Sequence, residues 1–358
     1  MKKLLILLTI LVILPLFTLK VGAEDAVDDF ILEFEDTLPE ELAGLSGDAD
    51  FTLSRIGIRG IIEEIISTLS GKRGALAELF LTLLGVIALT SVASLVGGEL
   101  SRSAECAVGL VGSILIFPRI SGVISGISAS LGQINDLFAA VMPITVGITA
   151  LGGGEKTALV QGGGMSLTLS LLGGLGGRVF TALSAFGLAL SLLSPLGGDS
   201  LSAVGRGVKT LFTRLLGIFT ALITGVFSLQ TLVASTADSG AMRAAKYMAS
   251  GLIPVVGTTV SGALSTLASG LSYAKGVVGG GAVAAVLILA LSPLTVLLAY
   301  RFVLSVCSTL ASTVSPSASR IITSYRSAMD MTLAVYALSV VIYLFELIVF
   351  IKMGVALA

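Results

Sequence analysis

Past residue 75 the chain is a succession of long apolar runs separated by short polar or glycine-rich breaks. Runs of about 20 apolar residues, rising about 1.5 Å each as helix, cover the roughly 30 Å hydrocarbon core of a bilayer. The pattern predicts spans at residues 75–96, 104–126, 137–151, 157–176, 179–196, 211–234, 276–300 and 331–351. Pro118-Arg119 is expected to interrupt the second, Pro143 to break the third and Arg178 to separate the fourth from the fifth; Pro293 falls within the seventh. Residues 56–69 read differently. Ile58, Ile61, Ile62, Ile65, Ile66 and Leu69 recur at helical spacing, while Arg55, Arg59, Glu63 and Glu64 occupy the other side. This is an amphipathic helix too short to span, suited to the interface or to capping a bundle.

The first 50 residues follow another logic. Lys2 and Lys3 precede an apolar run over 4–19, and Val21-Gly22-Ala23 supplies a small-residue cleavage pattern, so 1–23 reads as a secretory signal peptide, with an uncleaved signal anchor as the alternative. Residues 24–50 then hold 11 of the 22 acidic residues and no basic ones. They form either a solvated extracytoplasmic leader or a partner-docking element. The domain organisation is therefore a signal peptide (1–23), an acidic leader with the amphipathic helix (24–72) and a multi-span domain (73–358).

One stretch breaks the apolar pattern. Within 238–257 Asp238 is a natural N-cap and Gly251 a natural helix stop, with Pro254 just beyond. Arg243, Lys246, Tyr247 and Ser250 stand at i, i+3, i+4 and i+7 on one polar face of the predicted connecting helix 238–251, and Ala245, Met248 and Leu252 fall elsewhere. The segment is either a solvated connection or a re-entrant or interfacial element. Its candidate gating or partner-contact residues are Asp238, Arg243, Lys246, Tyr247, Gly251, Pro254 and Gly257, with Lys275 further on.

Composition supports the membrane reading. The chain is 55% hydrophobic and 12% charged with a mean hydropathy of +1.04, about half the charge of a soluble domain. A net charge of −1 gives no electrostatic reason to expect nucleic acid. Histidine is absent, which removes the commonest general base and metal ligand. No nucleophile has an evident base, so neither catalysis nor a cofactor is expected. Cys106 and Cys307 read as small buried hydrophobes rather than a disulfide. Basic connections at Arg206, Lys209 and Arg214 and at Arg301, Arg320 and Arg326 place those loops in the cytoplasm, with Lys72-Arg73 as a violation.

Glycine marks two kinds of position. The pairs Gly122/Gly126, Gly173/Gly177 and Gly276/Gly280 fit small-xxx-small helix contacts. The triple glycines at 152–154, 162–164 and 279–281 mark places where helices break, hinge or pack closely. No G-K-[ST] follows them, which argues against a phosphate loop. Ionisable residues within or beside spans are few, namely Glu78, Arg119, Asp136, Arg178, Asp330 and Glu346; Glu346 is the most interior. Segments beginning at Val141 and Leu252 share a proline-broken, Gly/Thr-rich pattern. That pattern arises by chance between low-complexity stretches or from a duplicated transport fold.

The residues M-R-A-A-K-Y-M-A-S-G-L-I-P-V-V-G at 242–257, with Val260-Ser261 and Ala274-Lys275-Gly276-Val277-Val278-Gly279, resemble the stage III sporulation protein AE family. Where that family carries acidic residues after the Pro-x-x-Gly turn, this chain has Gly262 and Ser265. The resemblance implies a multi-pass protein of the mother-cell membrane around the forespore. It implies membership of an export-like channel complex with other stage III operon A sporulation proteins and the forespore stage II protein Q, the lipid bilayer being its other partner. The expectation is thus an all-α, polytopic integral membrane protein with short broken or re-entrant helices that serves as a channel-complex subunit. An autonomous small-solute permease, with its site between the segments at Pro143 and Pro254, is the alternative.

Overall fold

The computed structural model describes residues 51–95, 99–151, 155–196, 199–236 and 257–352, with backbone alone at 51–62, 99–102, 175–177, 199–202, 231–236, 257–272, 275 and 352. The described chain is helical and contains no strand. Its helices are α1 (Phe51–Ala93), α2 (Glu99–Leu151), α3 (Glu155–Leu171), α4 (Phe180–Leu193), α5 (Asp199–Thr236), α6 (Gly257–Val314) and α7 (Pro316–Lys352). Wide π-helical turns over Leu172–Val179 join α3 to α4, and a tight 3-10 turn over Ser194–Leu196 follows α4. Five segments are long and apolar enough to cross a membrane: Glu63–Ala93, Ser103–Leu151, Ala203–Gln230, Gly276–Val314 and Pro316–Ile351. This is the architecture of an all-α, multi-pass membrane protein.

Among the described residues five candidate spans stand in place of the eight predicted, and the physical reasons are specific. Pro118 and Pro143 do not interrupt anything: α2 runs through both, merging two predicted spans into one helix of 53 residues. Both prolines are exposed, so each ring and each missing N–H faces away from the packed side, where their loss is least disruptive. α3 is a helix of 17 residues whose inner face is polar, and Phe180–Leu196 is also short of spanning length. At the front, the amphipathic segment 56–69 and residues 75–93 of the first predicted span are one continuous helix, α1. Arg301, Arg320 and Arg326, expected in a cytoplasmic loop, lie within α6 and α7.

The chain separates into two compact units. The first comprises Met1–Ser125, Ser184–Gly207 and Leu291–Leu333, and the second Gly126–Leu183, Val208–Ala290 and Ala334–Ala358. In the first unit α1 and α2 meet at Gly112, where a Cβ would stand 2.6 Å from Val86 Cγ2. One turn along, Arg119 donates to Thr82 Oγ1 at 2.5 Å and pairs with Glu78. Gly109 lies against Pro195 and Ile321, and the Cys106 thiol donates to the Pro195 carbonyl at 3.3 Å. Tyr325, fully buried on α7, donates to the Ser113 carbonyl at 2.9 Å. Arg301 pairs with Asp330. Both cysteines are free; Cys307 is buried as its apolar surroundings suggested, whereas Cys106, expected to be buried too, is only partly so.

α6 and α7 are joined by Ser315 alone. Its N–H closes the last turn of α6 on Ala311 O at 2.8 Å, and its hydroxyl accepts from the Ala318 N–H at 3.3 Å. Ser315 is thus the N-cap of α7, and Pro316 fills the first helical position, where its missing N–H has no intrahelical partner to lose. Ser315→Ala is expected to lower the stability of the folded protein by about 1 kcal/mol, the usual worth of such a cap. Denaturant titration of the purified protein in detergent checks this.

In the second unit aromatic contacts dominate. Phe180 packs edge-on against Phe212 and Phe219, with ring centroids 5.3 and 5.7 Å apart. Phe138 packs on Tyr343 at 5.0 Å and Phe227 on Phe345 at 4.7 Å. Tyr336 hydrogen-bonds Ser130 at 3.1 Å and donates to the Ala290 carbonyl at 3.2 Å; Tyr343 donates to Asn135 Oδ1 at 2.8 Å. α7 is the most enclosed of the spans, with 56% of its apolar window buried against 17–33% for the others.

Of the glycines expected at close approaches, those of the small-xxx-small pairs fail and those of two triple runs hold. Nothing lies within 4 Å of a Cβ built at Gly122, Gly126, Gly173 or Gly276, so those positions are not helix contacts. The triple glycines at 162–164 and 279–281 do not break their helices, α3 and α6. They pack instead: Gly162 meets Val146, Gly164 meets Gln230, and Gly279 meets Phe350 and Ile351. The run at 152–154, the leader and the signal peptide lie outside the described residues.

Candidate functional site

α3 buries a largely polar face and exposes two leucines, together with Ser166 and Ser170, on the other. Thr157, Gln161, Gly164 and Thr168 recur every three or four residues on its buried face, with Ala158 and Met165 alongside. Leu159 and Leu167, on the opposite face, are 77% and 56% exposed. A soluble helix has the reverse arrangement; this one suits an apolar solvent outside and a polar lining within.

The lining is built across helices of the second unit. From α2, Thr149 donates to Gln161 Oε1 at 2.8 Å, and Thr145 Oγ1 approaches Met165 Sδ at 3.5 Å. Thr145 and Thr149 also return their hydroxyls to the carbonyls of Met142 and Thr145, as hydroxyl residues in lipid-facing helices commonly do. From α5, Gln230 lies against the bare backbone of Gly164, where a Cβ would overlap its Nε2 atom. Gln230 Nε2 then donates to Glu346 Oε1 of α7 at 2.7 Å. Glu346 and Gln230 are each 2% exposed. Their outer oxygens, Glu346 Oε2 and Gln230 Oε1, have no partner among the described residues, and neither has Thr168 Oγ1.

Buried acceptors without donors are costly, the more so when one belongs to a carboxylate. Glu346 makes neither of the ion pairs at Glu78–Arg119 and Asp330–Arg301. Its one protein donor among the described residues is the Gln230 amide. The arrangement can therefore bind a cationic or hydrogen-bond-donating species. It has no nucleophile–base pair, and no group of three His, Cys, Asp or Glu side chains gathers among the described residues.

The residues singled out in sequence fall unevenly on this picture. Glu346 is the buried carboxylate expected. Arg119 and Glu78 pair with each other, Asp330 pairs with Arg301, and Asp136 is exposed. Arg178 lies exposed in the wide turns after α3. Asp238, Arg243, Lys246, Tyr247, Gly251 and Pro254 lie outside the described residues, Gly257 opens α6, and Lys275 is placed in α6 by its backbone. Gln230, Gln161, Thr149 and Thr168 were not anticipated, whereas Gly164 belongs to the triple glycine expected to break, hinge or pack closely. The one available signal was Gln230 at the end of an otherwise apolar run, since an amide in a span asks for a partner.

A family model described as stage III sporulation protein AE matches residues 37–356. No curated protein and no solved structure matches the chain.

Proposed function

Because the chain belongs to the stage III sporulation protein AE family, we propose that it is a membrane subunit of the channel or export-like complex linking mother cell and forespore, needed for forespore development. The family match, spanning nearly the whole chain, is the observation that carries this reading. Five candidate spans and a polar-lined interior in the second unit are compatible with a subunit embedded in the membrane around the forespore. In this reading the chain acts through contacts rather than catalysis. Its partners are the other stage III operon A proteins and the forespore stage II protein Q. The basic face of Arg243 and Lys246 is the surface we assign to such a contact or to lipid headgroups.

Crosslinking followed by pull-down of a tagged chain from sporulating cells tests this. Co-recovery of the operon A proteins and stage II protein Q is the expected result, with recovery reduced by the Arg243→Ala/Lys246→Ala double change at unchanged protein level. Recovery of the chain alone, together with solute uptake by the purified protein in liposomes, would replace the reading with that of a permease.

A further inference from the structure

Four buried side-chain polar atoms of the described residues lack a partner, and three of them are in the second unit: Thr168 Oγ1, Gln230 Oε1 and Glu346 Oε2. They stand on three different helices, α3, α5 and α7. Gln230 ties them together. Its Nε2 is 2.7 Å from Glu346 Oε1, and its Oε1 shares a carbon with that nitrogen, so the two unpartnered oxygens flank one hydrogen bond. The same amide rests on Gly164. Thr168 follows one turn later on the same buried face, with about 5–6 Å between Cβ positions at that spacing.

All three atoms are oxygens. Glu346 Oε2, as a carboxylate, and Gln230 Oε1 can only accept. What satisfies them must bring positive charge or donors, and no lysine or arginine of the described residues pairs with Glu346. Carboxylate, amide and hydroxyl oxygens form a hard donor set. One carboxylate balances one positive charge, and no group of three His, Cys, Asp or Glu side chains gathers among the described residues. We propose that Thr168, Gln230 and Glu346 form a binding site for a monovalent alkali cation between α3, α5 and α7. The site does not depend on the channel reading. A proton on Glu346 is the rival occupant; it would serve the carboxyl group and Gln230 and leave the Thr168 oxygen as it is.

The test uses the purified full-length chain in nonionic detergent at fixed pH and ionic strength, with NaCl, KCl or LiCl replacing choline chloride. Thermal unfolding is read by a thiol-reactive dye, which gains access to the buried Cys307 as the fold opens. At least one alkali cation is expected to raise Tm saturably, by several degrees well above its Kd. Glu346→Gln is expected to abolish that rise, while Thr220→Ala, at an exposed position on α5, keeps it. Should Glu346→Gln fail to fold, Thr168→Val provides the second arm, with half-saturation moved up by roughly tenfold. An unchanged Tm across all the salts overturns the proposal, as does an equal cation response in Glu346→Gln or an unmoved half-saturation in Thr168→Val. Stabilisation by acid alone, lost in Glu346→Gln, overturns it in favour of the proton.

Discussion

Gln230→Leu is expected to be among the most damaging single changes in the described membrane domain, lowering stability by about 3 kcal/mol. The leucine fills a similar volume but removes the one donor that the described residues offer to a carboxyl group that is 2% exposed. Hydrogen bonds to charged groups are worth about 1.5–3 kcal/mol, and breaking a buried charged pair by removing one partner reaches about 3–5 kcal/mol. Removing both polar groups should be far milder, because no orphan remains. Gln230→Leu/Glu346→Leu is therefore expected to recover most of the loss. Gly164→Ala should resemble Gln230→Leu and add little to it, since the new methyl group acts by expelling the Gln230 amide from its place. Unfolding midpoints for the set decide the matter: a single Gln230→Leu as stable as the parent, or a double change worse than the single, is inconsistent with this account.

The second large effect is expected at Gly112. Alanine there puts a methyl group 2.6 and 2.9 Å from the two γ-carbons of Val86. A β-branched side chain in a helix has essentially one comfortable rotamer, so Val86 cannot swing away. α1 and α2 must part instead, which costs about 1–3 kcal/mol by the usual scale for overpacking. The neighbouring Arg119 contacts to Glu78 and Thr82, formed between the same two helices, should weaken with it. Trimming the other side of the contact is the control. Gly112→Ala/Val86→Ala is expected to be closer to the parent than Gly112→Ala alone, and a double change with the summed loss would show that the contact is not what matters.

These two sites also show what the chain discloses before its structure is known. Apolar runs of spanning length announce an all-helical membrane protein, because hydropathy depends on composition alone. Where those runs join is not disclosed in that way. A proline signals a break only if its ring points into packing, and Pro118 and Pro143 point out. Glycine spacing is equally ambiguous. Gly122/Gly126 has the form of a contact motif and meets nothing among the described residues, whereas Gly112 is a close approach with no motif around it and Gly164 lies in a run that reads equally as a break. Which glycine is needed depends on the partner side chain, here Val86 or Gln230, arriving from a distant helix.

The site was legible to the same degree. A carboxylate deep in an apolar run stands out in any sequence, so Glu346 could be singled out. Its partner is an uncharged amide 116 positions earlier, and only the folded chain brings the two together. The polar inner face of α3 is hidden for another reason. Threonine, glutamine and glycine at helical spacing, set among leucines, read as a mediocre span until burial shows which side is inside.

The single-residue joint at Ser315 bears on how the protein is made. Arg301 enters the translocation machinery 29 residues ahead of Asp330, the group that neutralises it. A ribosome that has just finished α6 therefore presents an uncompensated guanidinium on an apolar helix. With Ser315 alone between them, α6 and α7 have no slack to settle at separate times. They are expected to leave the translocon as one hairpin, released to lipid after the tyrosine-bearing face of α7 has been synthesised. A stall or truncation between 301 and 330 would then leave a membrane intermediate marked for degradation by its own unpaired charge.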